Sequence, residues 1–177
     1  MSLEQEPNSS PPSLSHLDAQ GRARMVDVSG KEPTMREARA AALVQMSPKT
    51  VAAVSRGGLT KGDALGVARI AGVMGAKRTH ELIPLSHPLA ISHCDVTLEL
   101  VEGGVAIESR VRTRDRTGVE MEALVAASCA ALTLYDMCKS IEKGIVITDV
   151  RLLSKSGGKS GSWIREAEIK PLTLPRS

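Results

Sequence analysis

The stretch TGVEMEALVAASCAALTLYDMCK, residues 117–139, decides the fold of this chain. Acids stand at its start, its interior is nearly uncharged and rich in Ala, Leu and Val, and Asp136 and Lys139 stand at its end. With Gly118 punctuating the start, this run of apolar helix formers predicts a buried helix over about 119–140. Buried helices seldom carry acids and lysines, so the charged residues found here need an explanation.

The pair at the end of this helix has two interpretations. Asp136 and Lys139 are three residues apart, which places them on one helix face, close enough to pair or to point at one ligand. Burial would raise the pKa of the Asp and lower that of the Lys, their attraction would oppose both shifts, and such a pair can transfer protons. The alternative is an ordinary salt bridge where the helix emerges into water, with Lys139 near the C-terminal dipole. The fragment alone favours the salt bridge.

Composition limits the classes of partner. The chain has 177 residues, 42% of them hydrophobic, with no Phe, one Tyr and one Trp, so the core must be aliphatic. Single-stranded nucleic acids are commonly bound by aromatic stacking, and here the net charge of +3 is scattered rather than clustered, so neither a nucleic acid nor a membrane surface is predicted as a partner. The cysteines Cys94, Cys129 and Cys138 form neither a zinc motif nor an even set for disulfides. Without a signal-peptide core or an apolar run of about 20 residues, a cytoplasmic protein is expected.

The chain divides into a tail, one domain and a second tail. Residues 1–22 are rich in Ser, Pro and Gln and predict a flexible N-terminal tail, followed by a single domain over 23–165 and a C-terminal tail over 166–177. The alternation in MVDVSG, residues 25–30, predicts a short strand. Thr34 is then expected to cap a helix through MREARAAALVQ.

The next segment predicts two helices. Ser47 is expected to cap a short helix that has Pro48 at its first position and stops at Gly57. Thr60 or Asp63 then caps a long Ala- and Gly-rich helix that ends near residue 80.

The remaining elements decide the fold class. Period-two alternation on both sides of Gly103 and Gly104 predicts an antiparallel hairpin, and GIVITDVRLLSKS, residues 144–156, follows the central helix as a final strand. The predicted order is strand, helices, strand, strand, helix, strand. This is the split βαβ order of a ferredoxin-like α+β sandwich, an antiparallel sheet with helices packed on one face.

Three further segments carry candidate chemistry. Lys61 precedes a helix start, where free backbone N–H groups favour anions, although a solvated lysine beside a cap is the simpler interpretation. His87 lies between two prolines in LIPLSHPL, which suits either a rigid site residue or a turn-stabilising hydrogen bond. The glycines and lysines of KSGGKSGSW, residues 155–163, predict an anion-binding loop, with a solvated linker as the alternative.

Distance along the central helix limits how these residues combine. At 1.5 Å per residue, Glu122 and Asp136 lie roughly 20 Å apart, so both cannot touch one small reacting centre within one subunit. Either the ligand is long, or a site joins opposite helix ends from different subunits, as two-fold interfaces do.

Several motifs together resemble one known family. MVDVSGK, TMREARA, KGDALGVARIAGVMGAKRTHELIPLSHPL, TGVEMEAL, LYDMCK and LLSKSGGKSG, within residues 25–163, are similar to the MoaC family of cyclic pyranopterin monophosphate synthases of molybdenum cofactor biosynthesis. The resemblance implies a MoaC-like catalytic domain in a homo-oligomer, a hexamer built as a trimer of dimers with sites at the dimer interfaces. It also implies that a cyclic dihydro-GTP is converted to cyclic pyranopterin monophosphate with loss of pyrophosphate.

The same resemblance assigns the site residues motif by motif. Catalytic roles fall to Lys61 of the KGD turn and to Asp136 and Lys139 of YDMCK. Ser86 stands where the family's LCHP motif has Cys, so a thiol is not expected to be needed. The substrate-binding residues implied are Lys31, Arg36, Leu85, Ser86, His87, Glu120, Met121, Glu122 and Lys155.

No redox cofactor and no protein metal site are expected, although Mg²⁺ can accompany the triphosphate. The alternative from another class is a non-catalytic, nucleotide-binding ferredoxin-like module, which a turnover assay distinguishes from the enzyme.

Overall fold

A computed structural model of the protein describes residues 20–57 and 59–166. Apart from residues 20–22 and 166, the two predicted tails lie outside these ranges. The elements are β1 (Thr34–Gln45), α1 (Pro48–Ser55), α2 (Ala64–Lys77), α3 (Thr79–Leu82), β2 (Ile91–Val101), β3 (Gly104–Asp115), α4 (Glu120–Cys138), β4 (Val146–Ser156) and β5 (Trp163–Ile164).

The strands form one antiparallel sheet in the order β2-β3-β1-β4-β5. Helix α4 packs across β1, β3 and β4, while α2 packs beside α4 and over β2. The first four strands and their helices follow the ferredoxin-like connection order. The predicted fold class, an α+β sandwich with helices on one face of an antiparallel sheet, is confirmed.

Helix α4 is the centre of the core. Its inward side chains are mostly small: Ala123, Ala126, Ala127 and Ala130 are 0% exposed. The helix is long and apolar enough to cross a membrane by length and composition, but more than half of that stretch is buried inside the protein. Burial of its faces by the sheet and by α2 accounts for its apolar character.

The segment before α1 corrects two predictions. Residues 25–30 are not a strand, and Thr34 does not cap a helix, because Thr34–Gln45 is strand β1. Alternate residues Ala38, Ala40 and Val44 are buried under the helices, while Arg39 on the opposite face pairs with Glu108 of β3. Hydrogen bonding to β3 on one side and β4 on the other outweighs the few tenths of a kcal/mol per residue by which Ala favours a helix.

The predicted helix caps and the hairpin are confirmed, whereas the long helix predicted to end near residue 80 is divided into α2 and the short α3. The Ser47 hydroxyl accepts a hydrogen bond from Thr50 N at 3.4 Å, and the Asp63 carboxylate accepts one from Gly66 N at 2.9 Å, so these residues cap α1 and α2. Gly103 turns the β2–β3 hairpin with a φ of 76°, a left-handed conformation that favours glycine. The two-residue strand β5 after β4 was not predicted.

We expect substitution of Gly72 by Ala to destabilise the protein. A Cβ on Gly72 would lie 2.9 Å from the Ala126 carbonyl oxygen and 3.1 Å from a Val96 methyl, so α2 and α4 would have to separate. The strain should outweigh the gain of about 1 kcal/mol in helix propensity and leave a net loss of about 1–2 kcal/mol in unfolding free energy, measured by urea denaturation. Gly144, beside which the same Cβ meets nothing within 4 Å, is the matched control. Equal stability of the two alanine variants would contradict this packing argument.

Candidate active site

A carboxylate and two lysines meet at the C-terminal end of α4. Lys61, on the loop between α1 and α2, places Nζ 2.6 Å from Asp136 Oδ2 and 3.0 Å from the Asp136 carbonyl oxygen. Lys139, the residue after α4, places Nζ 2.6 Å from Asp136 Oδ1. The structure therefore joins all three predicted catalytic residues within one chain, and these three are called the lysine cluster below.

The lysine cluster is exposed to solvent. The side chains of Lys61, Asp136 and Lys139 are 43%, 52% and 52% exposed. Hydrogen bonds from Lys139 and then Lys61 lower the pKa of Asp136 to about 2, and the hydrogen bond to Asp136 raises the pKa of Lys139. Of the two interpretations of this pair, the structure has the salt bridge where the helix end emerges into water, and mutual attraction dominates both pKa shifts. In one chain alone, Lys139 is thus held as a charged acid.

The opposite end of α4 carries an unusual carboxyl group. Glu122 is only 3% exposed, and the Ser86 hydroxyl donates to its Oε1 at 3.4 Å. Burial raises the pKa of Glu122 to about 7, helped by the nearby charge of Glu120 and opposed by a backbone hydrogen bond and by the one from Ser86. Near neutral pH this group can therefore either donate or accept a hydrogen bond. The exposed Met121 lies between the two acids.

His87 is fixed by a distant part of the chain. Its Nε2 lies 2.8 Å from the carbonyl oxygen of Val26, and since a carbonyl only accepts, the ring carries its proton there. His87 therefore does form a hydrogen bond to a carbonyl, but the acceptor is 61 residues away rather than in its own turn, and the bond anchors the N-terminal segment to that turn. Leu85, two residues before His87, is half-buried. Lys31 is exposed, and its backbone N–H donates a hydrogen bond to the Val28 carbonyl oxygen that closes a turn.

Arg36 joins the predicted anion loop to the start of α4. Its Nε and Nη2 donate to the carbonyls of Asp115 and Arg116 at 2.8 and 3.0 Å, just before α4 begins. On its other side lies Gly158, where a Cβ would overlap the Arg36 guanidinium. Lys155 donates to Ser160 across the same loop. Arg36, the glycine loop and the two glutamates therefore gather at one end of the sheet.

The predicted site residues thus form two groups in one chain. The binding group, at the start of α4, contains Arg36, Ser86, His87, Glu120, Glu122 and Lys155. The lysine cluster lies at the end of α4, roughly 20 Å away along the helix axis. Within one chain, Lys61 and Lys139 both contact the same Asp136, so a single chain supplies all three residues of the lysine cluster. Within residues 20–57 and 59–166, no group of three or more His, Cys, Asp or Glu side chains is arranged to hold a metal ion.

Sequence reasoning missed one acid near the lysine cluster. Glu142 accepts hydrogen bonds from Ser47 and Thr50 at the start of α1. These partners are more than ninety residues away along the chain, so no local pattern indicates them.

Comparison with known proteins gives a consistent result. The model of the MoaC family matches residues 25–158. A protein of Geobacter sulfurreducens named cyclic pyranopterin monophosphate synthase is 59% identical over 156 residues, which cover 87% of this chain and 98% of the relative. A Streptomyces coelicolor protein of the same name is 57% identical over 152 residues, 86% of this chain and 89% of the relative. The matched residues include both groups at the ends of α4, and this chain belongs to the MoaC family.

Proposed function

We propose that this protein is a cyclic pyranopterin monophosphate synthase of molybdenum cofactor biosynthesis. It is a lyase that converts 3',8-cyclo-7,8-dihydro-GTP to cyclic pyranopterin monophosphate and releases pyrophosphate. The observation that carries the proposal is the 59% identity to a relative of that name over 98% of the relative's length. Similarity on this scale spans the lysine cluster and the binding group together.

The lysine cluster supplies proton transfer. Lys61 and Lys139 act as the general acid and base, and Asp136 orients both through its two carboxylate oxygens. Two ammonium groups around one carboxylate leave a net positive charge, which attracts the triphosphate and stabilises charge on departing pyrophosphate. A lysine that acts as base must first lose its proton. Covering the half-exposed cluster with a second subunit favours that loss, because desolvation lowers a lysine pKa.

The binding group holds the substrate. Glu120 and Glu122 face the nitrogen-rich ring, whose N–H groups are donors that match carboxyl oxygens. Arg36, Lys155 and the backbone N–H groups of the glycine loop bind phosphate, with Mg²⁺ travelling on the triphosphate. The remaining lining residues are Lys31, Leu85, Ser86, His87 and Met121.

The complete site forms between subunits of a homo-oligomer, a hexamer arranged as a trimer of dimers in the cytoplasm. Two observations support the shared site. The two groups stand at opposite ends of one helix, roughly 20 Å apart. The lysine cluster is also open to solvent in the single chain. A two-fold interface would bring the end of one α4 near the start of another and produce two such sites.

Turnover by the purified protein tests the reaction. Incubation with the cyclic dihydro-GTP should release one pyrophosphate for each cyclic pyranopterin monophosphate formed. Phosphorus NMR measures the pyrophosphate, and mass spectrometry measures the pterin product. Binding of the substrate without turnover would favour the non-catalytic nucleotide-binding module instead.

We predict that Lys61→Ala and Lys139→Ala each lower kcat by at least about 100-fold, the usual minimum for loss of a general acid or base. Both side chains are about half exposed in the single chain, so each variant should keep the wild-type fold. Lys49, an exposed lysine on α1, provides a matched Lys→Ala control. Turnover within a few-fold of wild type in both variants would overturn the catalytic assignment.

We predict a pH-dependent stability contribution from Glu122. Its pKa is raised from 4.5 to about 7, so the folded protein binds this proton more tightly than the unfolded chain does. The contribution is complete below about pH 4.5 and is lost as the pH rises through about 7. Between about pH 5 and pH 8 the wild type should therefore lose on the order of 2 kcal/mol of unfolding free energy that Glu122→Gln does not lose. Urea denaturation at both pH values measures this, with the exposed Glu102→Gln as control; parallel pH profiles for Glu122→Gln and wild type would contradict it.

We predict that activity recovers only when variants from the two different groups are mixed. Lys139→Ala and Arg36→Ala, exchanged into mixed oligomers, should regain about a quarter of wild-type turnover, because random pairing leaves that share of shared sites intact. Lys61→Ala mixed with Lys139→Ala should not recover, because each chain supplies both lysines of its cluster and every cluster in that mixture lacks one of them. Native mass spectrometry verifies the exchange. Absence of recovery in verified Lys139→Ala and Arg36→Ala mixtures would refute the shared site.

A further inference from the structure

Glu142 clamps the turn after α4 to the start of α1. Its Oε2 accepts hydrogen bonds from the Ser47 backbone N–H at 2.9 Å, the Ser47 hydroxyl at 2.9 Å and the Thr50 hydroxyl at 2.6 Å. Thr50 is fully buried, so one end of the clamp is fixed in the core. Three donors converge on one oxygen of a side chain that the catalytic assignment does not use.

The clamp joins the two segments that supply the lysine cluster. Glu142 follows Lys139 by three residues, in a turn closed by the Ile141 N–H on the Cys138 carbonyl at 2.9 Å and by the Tyr135 hydroxyl on the Lys143 carbonyl at 3.2 Å. On the other side, α1 leads through a short loop to Lys61. The Lys61–Asp136 contact itself is half exposed and so contributes little to holding these segments together.

The local electrostatics keep Glu142 charged. Burial acts to raise its pKa, but hydrogen bonds from Thr50 and Ser47 outweigh burial, and the pKa of Glu142 is lowered. A carboxylate at the start of α1 is also favoured by the positive end of the helix dipole. The clamp is therefore present at neutral pH, where the lysine cluster works.

We propose that Glu142 is a positioning residue that sets the distance between Lys61 and Lys139 around Asp136. Its role rests on the proposed function, since proton transfer by the lysines is what the position serves. Glu142 touches neither lysine and acts through the turn after α4 and through α1. A displacement of about 1 Å at a reacting group can cost up to about 100-fold in rate, so a clamp of this kind affects turnover.

Glu142→Ala tests the proposal by separating kcat from KM. We expect kcat to fall about 10-fold while KM stays within about two-fold, because the binding group lies at the other end of α4. Glu142→Gln should recover most of the rate, since its carbonyl oxygen still accepts two of the three hydrogen bonds. Glu102→Gln, an exposed glutamate in the β2–β3 turn, should match wild type. If Glu142→Ala unfolds, Thr50→Val removes one donor and keeps the volume.

A second readout needs no substrate. The pKa of Asp136, about 2 in the wild type, should rise toward its ordinary value of 3.8 in Glu142→Ala, because the lysines spend less time within hydrogen-bond distance. Carboxyl-carbon NMR titration measures this shift. If wild-type protein does not turn over the substrate, the proposed function fails and this titration still decides the clamp. A folded Glu142→Ala protein with an unchanged Asp136 pKa overturns the positioning role, whatever happens to its melting temperature.

Discussion

The close packing of α4 against the sheet and α2 is the constraint on which the rest of the structure depends. With Ala at half of the buried positions of α4, and with Gly72 and Gly75 facing it from α2, the backbones approach to distances that a single added Cβ would violate. A core without Phe gains its burial from many small contacts rather than a few large ones. Such an interface tolerates little movement, so α4 is a rigid spacer whose two ends have fixed positions.

Rigidity of α4 explains why the chemistry divides between its ends. Arg36 and Glu122 are gathered where β3 runs into α4, and Lys139 emerges where α4 gives way to the turn before β4. No bending of the helix brings these ends together, because its hydrogen bonds and its packing both oppose a kink. A reaction that needs both groups therefore requires either a ligand long enough to span the helix or a second chain, as in the proposed shared site.

Sequence patterns predicted the elements that depend on neighbouring residues. They failed to predict the elements and contacts that depend on residues far apart in the chain. The caps Ser47 and Asp63, the hairpin at Gly103 and the limits of α4 follow from neighbouring residues. Strand β1 was predicted as a helix because its Ala-rich sequence masks the period-two burial that only pairing with β3 and β4 reveals. Motifs predicted the individual site residues, but the contact of Lys61 with Asp136 spans 75 positions, and no local spacing indicates it.

The electrostatics of the lysine cluster support the proposed assembly independently of geometry. In an isolated chain Asp136 raises the pKa of Lys139, which suits an acid and opposes a base. Burial in an interface lowers the pKa of a lysine, whereas a bound anionic substrate raises it. Proton transfer in both directions is thus best served when desolvation offsets the attraction of Asp136. An interface that closes over the half-exposed cluster supplies that desolvation, so subunit contact would tune the lysines as well as complete the binding surface.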